Sequence, residues 1–160
     1  MLYFMPIIVW KALSQAAYSG SFVPLMNAFM KIDHPDWNDN TKLSMSLFAM
    51  IPLGFGEIIG ALLMGNISDK LGYQTTLKVL LAATVVAFAL LFVTIANYTF
   101  NPLTFVMTFA WGFQDSSLSN FANCILAFEF DSKVAPFSVF NFSQALFTFA
   151  FLVIASKIDD

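Results

Sequence analysis

Asp115 lies in the middle of an apolar stretch long enough to cross a bilayer, within ThrPheAlaTrpGlyPheGlnAspSerSerLeuSerAsnPheAlaAsnCys at 108–124. On a helix, Trp111, Asp115, Ser119 and Asn123 recur every four residues and share one face. Ser116 and Asn120 form the adjacent row, flanked by Gln114 and Ser117. A carboxylate at membrane depth is costly unless it is paired, hydrated or protonated, so Asp115 is expected to face helices or a cavity and not lipid. Such a carboxylate can take up and release a proton, and the hydroxyls and amides around it can hold a polar solute. The same groups can also bond helices together, at about 1 kcal/mol per bond. Both readings stay open from the residues alone.

Two other stretches carry polar groups of the same kind. Lys11, Ser14, Tyr18 and Ser21 follow helical spacing, with Gln15 and Ser19 on an adjoining row. Their arc is wider than one hydrogen-bonded seam requires, which favours a cavity wall. Lys11 lies near the end of its stretch and is expected to reach the interface by snorkelling. In IleProLeuGlyPheGlyGluIleIleGlyAlaLeuLeuMetGly at 51–65, Gly56 and Gly60 form a G-x-x-x-G pair that Ala61 and Gly65 extend. That spacing lets helices approach closely. Glu57 lies between the glycines and needs a partner, and Pro52 with the nearby glycines can bend the helix. The candidate cavity or coupling residues are therefore Ser14, Gln15, Tyr18, Glu57, Asp115, Ser119, Asn120 and Asn123.

Other chemistries find little support. The one histidine, His34, sits in an acidic loop beside Asp33 and Asp36 and reads as a solvated loop residue. Cys124 is the sole cysteine, so neither a disulfide framework nor a cysteine metal site is expected. No nucleophile–base–carboxylate set stands out, and the reading is of no enzyme, no catalytic residue, no metal and no cofactor. Seven lysines, no arginine and a net charge of -3 leave no basic patch for nucleic acid.

The elements that must carry these residues are five apolar stretches at about 5–27, 44–66, 76–96, 103–126 and 136–156. Each is long enough to cross a hydrocarbon core of about 30 Å as a helix. A chain of 160 residues that is 59% hydrophobic and 11% charged, with 20 phenylalanines, has too little interior to hide them all. Residues 77–93 show no two-fold alternation, which argues against a β-barrel. Backbone groups in lipid must pair internally, so the stretches should be helices. The expected fold is an all-α polytopic membrane protein, with one transmembrane helical domain over 1–157 and a multi-pass location in a membrane. Lipid is then its first partner. The initial stretch lacks a basic n-region and reads as a retained helix, not a signal peptide.

Connections are expected at 31–43, 67–75, 97–102 and 129–135, short enough for antiparallel neighbours. Lys70, Lys78 and Lys133, with Lys11, stand on one side against Lys31, Lys42 and Lys157 on the other. That bias favours a cytoplasmic N-terminus and a cytoplasmic 67–75 connection.

Gly65-Asn66-Ile67-Ser68-Asp69-Lys70-Leu71-Gly72 resembles the loop motif G-x-x-x-D-[R/K]-x-G-[R/K]-[R/K] of the major facilitator superfamily, with Tyr73 and Gln74 in place of the terminal basic pair. Gly65, Asp69, Lys70 and Gly72 are the matching positions, and the resemblance implies a cytoplasmic loop. GlnAlaAlaTyrSerGly at 15–20, TrpGlyPheGlnAspSerSerLeuSerAsn at 111–120 and residues 128–146 are similar to UNC93-like members. The likeness implies that the chain corresponds to helices seven to eleven, an incomplete six-helix half. A partial or truncated transporter of a small solute or ion would fit it. So would a non-transporting regulatory or structural partner of a channel, receptor or half-transporter, or a component that assembles with a missing half.

Overall fold

The computed structural model describes residues 4–130 and 134–158, which are helical with short joints and contain no strand. Part of the expected 129–135 connection, Lys133 included, lies outside the described residues. The first helical segment is α1 (Met5–Ala16), a π-helical turn (Ala17–Ser21) and α2 (Phe22–Asp33) in unbroken succession. Pro6 sits in the first turn of α1, where its missing N–H costs nothing. α3 (Asp39–Phe48) opens on Asn38, whose side chain accepts a bond from the Asn40 N–H at 3.3 Å. α4 (Ile51–Leu71) follows after a two-residue break, placed where Pro52 can only enter a first turn.

α5 (Tyr73–Asn97), α6 (Pro102–Phe128) and α7 (Val134–Ile158) complete the bundle. The joints are tighter than the sequence implies. Helix extends through most of 67–75, and Gly72 alone separates α4 from α5, at φ +76°, a conformation glycine adopts without strain. The 31–43 connection shrinks to residues 34–38, because Asn38 and Asp39 start a helix in its second half. Asn101 caps α6 by accepting the Leu103 N–H at 2.9 Å.

Cross-helix contacts fix the direction of each segment. Along α4 and α6 they rise together, from Ala49 with Thr108 through Leu53 with Gly112 to Ser68 with Cys124, so these helices run parallel. Along α5 and α6 they fall, from Tyr73 with Phe121 to Phe88 with Trp111. The first segment is likewise antiparallel to α6, with Phe22 on Trp111 and Ile8 in a cluster with Ala122 and Leu126. It runs parallel to α7, matching Phe4 to Phe140 and Gly20 to Leu152. Direction alternates from segment to segment, as successive membrane crossings require.

Among the described residues three segments are long and apolar enough to cross a membrane: Asp39–Leu71, Tyr73–Asn97 and Val134–Lys157. α6 is different in kind. At 27 residues it spans about 40 Å, but it holds Gln114, Asp115, Ser117 and Thr108 among its buried residues. Its neighbours α1, α4 and α5 cover these four side chains, which therefore do not meet lipid.

Close approach of α4 to α6 depends on glycine. A Cβ on Gly56 would strike the Phe109 carbonyl, and one on Gly112 the Leu53 carbonyl. One on Gly60 would lie 2.7 Å from the Phe113 carbonyl oxygen. These are backbone atoms, which cannot swing aside as a side-chain tip can. Gly54 has open space around it. Gly56→Ala is therefore expected to lower stability by about 1–3 kcal/mol through overpacking, whereas Gly54→Ala should be near neutral. Unfolding of the two variants in mixed micelles checks this, and equal stabilities would refute the close-packed interface.

Candidate functional site

The antiparallel crossing of α1 and α6 sets Lys11 and Ser14, one turn apart, against Gln114 and Asp115. The Lys11 ammonium is ion-paired with the Asp115 carboxylate, and the two residues are only 8% and 3% exposed. Lys11 Nζ also lies 3.4 Å from the Asp115 carbonyl oxygen. Ser14 Oγ donates to Asp115 Oδ1 at 2.9 Å, so both carboxylate oxygens have partners. Trp111 Nε1 donates to the Ser14 carbonyl at 3.4 Å. Lys11 thus does not snorkel to the interface: a carboxylate one helix away holds it inside the bundle.

Gln114 is fully buried beside the pair. Its Oε1 lies 3.5 Å from Ser14 Oγ, and its Nε2 has no partner among the described residues. Ser119 turns back on its own helix, donating to the Asp115 carbonyl at 2.9 Å. Asn120 Nδ2 reaches across to the Ala61 carbonyl at 3.0 Å and ties α6 to α4. Asn123 is exposed, and Glu57 is half-buried on α4. Tyr18 is half-buried and packs on the cluster around Phe22 and Trp111.

Gln15 belongs to a second polar group, on the α7 side of α1. Its Oε1 accepts from Gln144 Nε2 at 2.6 Å, and Thr148 Oγ1 lies 3.4 Å from the Ala12 carbonyl. Gln15, Asn141, Gln144 and Thr148 line a cavity of about 340 Å³, with Phe149 and Leu152 as its apolar wall. The α7 members were not among the candidate cavity residues, although Asn141, Gln144 and Thr148 follow the same three-and-four spacing that marks the stripes on α1 and α6.

The candidate loop positions fall at the far end of α4. Gly65 is half-buried, Asp69 and Lys70 are exposed in the last turns, and Gly72 is the joint itself. His34 stacks on Trp37, ring centroids 4.1 Å apart. Among the described residues no group of three histidine, cysteine, aspartate or glutamate side chains is placed to hold a metal.

Removing one member of a buried pair strands the other charge, at about 3–5 kcal/mol, whereas replacing both by apolar groups is often close to neutral. Lys11→Met and Asp115→Leu are each expected to cost stability in that range, and the double variant to recover most of it. Thermal unfolding in detergent checks this. Losses that simply add in the double variant would show that the two groups do not act as a pair.

No curated protein and no solved structure matches the chain. The family described as Sugar (and other) transporter matches residues 13–125, from within α1 to the last turn of α6. That match takes in Ser14, Gln15, Asp115 and the Gly65–Gly72 motif, and extends over more than half of the sequence. The family is one of membrane transporters, not enzymes, within the major facilitator superfamily. This helical membrane chain belongs to the Sugar (and other) transporter family.

Proposed function

We propose that this chain is a working part of a solute transporter in which α1 is the moving element between two polar contacts. The observation that carries the proposal is the Lys11–Asp115 pair, buried with Ser14 and Gln114 between α1 and α6. On the adjoining, α7-facing row of α1, the Gln15–Gln144 cavity offers amides and one hydroxyl without formal charge. Its chemistry suits a small uncharged polar solute. Protonation of Asp115 would cancel one charge of the pair and loosen α1 from α6, which gives a proton a route to bias helix rocking. A finer placement among UNC93-like members rests on residues 15–20, 111–120 and 128–146 and forms part of this proposal.

A second reading has its own observation. Glu57 is half-buried and Asn123 exposed on membrane-length helices, and the ion pair among the described residues uses neither. Lipid cannot satisfy such groups, so another protein surface would. On this reading the chain is a non-transporting regulatory or structural partner of a channel, receptor or half-transporter.

Purified chain in proteoliposomes, offered a panel of small neutral solutes with and without a proton gradient, separates the two. Saturable uptake that Gln144→Ala lowers by tenfold or so, at unchanged folded yield, supports transport; an effect of that order follows from losing a hydrogen bond to the solute. No uptake, with a stable heteromer recovered from mild detergent, supports the partner reading. Orientation is a separate expectation: the N-terminus and the α4–α5 joint are cytoplasmic. In a Cys124-free background, cysteines at Asp39 and Tyr98 should label from outside and one at Asp69 should not. The reverse pattern would invert the topology.

A further inference from the structure

We propose that Glu57 completes the buried site as its proton carrier: it holds one proton while Lys11 pairs with Asp115, and when Asp115 takes the proton instead, the lysine passes to Glu57. The packing of α4 on α6 places the residue. Ala49 meets Thr108, Leu53 meets Gly112 and Ala61 meets Asn120. The spacing is four residues, or a multiple of it, on both helices, so Glu57 falls opposite Ser116 in the same ladder. Ser116 adjoins Asp115, which sets Glu57 at the depth of the buried pair. There it lies within the electric fields of both Asp115 and Lys11. It is half-buried and takes no part in the ion pair among the described residues.

Charge balance gives that position its role. Among the described residues Lys11 on α1, Glu57 on α4 and Asp115 on α6 are the charged groups at this depth. The Tyr18 phenol of the π-helical turn is within electrostatic range of both carboxylates and adds no charge near neutral pH. α5 carries only Lys78, exposed toward its Tyr73 end, and the described part of α7 only Lys157, in its last turn. Two carboxylates against one ammonium leave a negative charge that hydrocarbon cannot solvate, and one bound proton removes it. Asp115 already has Lys11 and Ser14 on its oxygens, so the proton rests on Glu57. Protonating Asp115 with no second carboxylate at hand would strand the Lys11 ammonium. Once Glu57 is ionised, the ammonium has another partner. In the exchange an O–H bond breaks at Glu57, one forms at Asp115, and the ammonium moves as an intact ion, so the site stays neutral. The exchange rests on the transport reading for its use, whereas the proton on Glu57 is measurable with no solute present.

Glu57 and Glu129 are the two glutamates of the chain, and Glu129 is exposed just past the end of α6. Glu129→Gln therefore leaves Glu57 as a unique ¹³Cδ label. Solid-state NMR of this full chain in bilayers at neutral pH, with ¹⁵N at the lysine side chains, is expected to show Glu57 Cδ at the frequency of a carboxylic acid, uncoupled from any Nζ. Asp115→Asn imitates the protonated aspartate. In that variant Glu57 Cδ should shift to the carboxylate frequency and gain a dipolar coupling to a lysine Nζ, which Lys11→Gln then removes. An ionised Glu57 beside the intact Lys11–Asp115 pair would overturn the proton assignment, and that spectrum needs no change to the pair. A Glu57 that stays protonated and uncoupled in Asp115→Asn would overturn the exchange. Both expected spectra in a chain that moves no solute would uphold the exchange and count against transport alone.

Discussion

Two opposite charges placed in a medium without water have few options, and the Lys11–Asp115 pair takes the one that constrains the most structure. A lone lysine or aspartate at that depth would have to neutralise itself or reach the interface. Pairing instead requires α1 to lie against α6 at one height and one rotation. With that crossing set, Ser14 falls on the free carboxylate oxygen and Trp111 on the Ser14 carbonyl, at 2.9 and 3.4 Å. The adjoining row of α1 then turns Gln15 toward Gln144 on α7. One electrostatic contact thereby orients three helices.

The pair is tenable only because α6 is enclosed. α4 reaches it through Gly56, Gly60 and Gly112, where backbone meets backbone, and Asn120 and Thr108 bond across the same interface. α5 closes another side with aromatic contacts at its start and near its middle, Tyr73 on Phe121 and Phe88 on Trp111. The outer helices are as apolar as lipid demands, and the enclosed one carries the polar groups. Hydropathy and burial are divided between elements, which explains how α6 can be of membrane length and still carry Gln114, Asp115 and Ser117.

Much of this was legible in the chain. Apolar length gave the helices, the four-residue recurrence around Asp115 gave its face, and the G-x-x-x-G spacing marked a close contact, though not which helix would make it. Lys11 was misread because depth was judged along its own stretch alone. Its partner stands 104 residues away, and only the antiparallel crossing brings them level. The joints were overestimated for a local reason: polar residues near 31–43 and 67–75 read as loop, yet the Asn38 cap and the single Gly72 let helix continue nearly through them. Gln144 and Thr148 were missed because isolated polar residues on an apolar helix carry little weight until a facing polar residue is known.

The family match and the buried charge describe the same region, since the matched residues end one turn short of the end of α6 and begin two residues after Lys11. The charge pair therefore joins Asp115, inside the match, to Lys11, just outside it. Solid-state NMR of the chain in bilayers, with ¹⁵N at lysine side chains and ¹³C at aspartate carboxyls, tests the pair directly. The account requires a strong Nζ–Cγ dipolar coupling, carried by an ionised carboxylate, that vanishes in Lys11→Gln. A bilayer sample with no such coupling, and Lys11 at the frequency of a water-exposed ammonium, would contradict it.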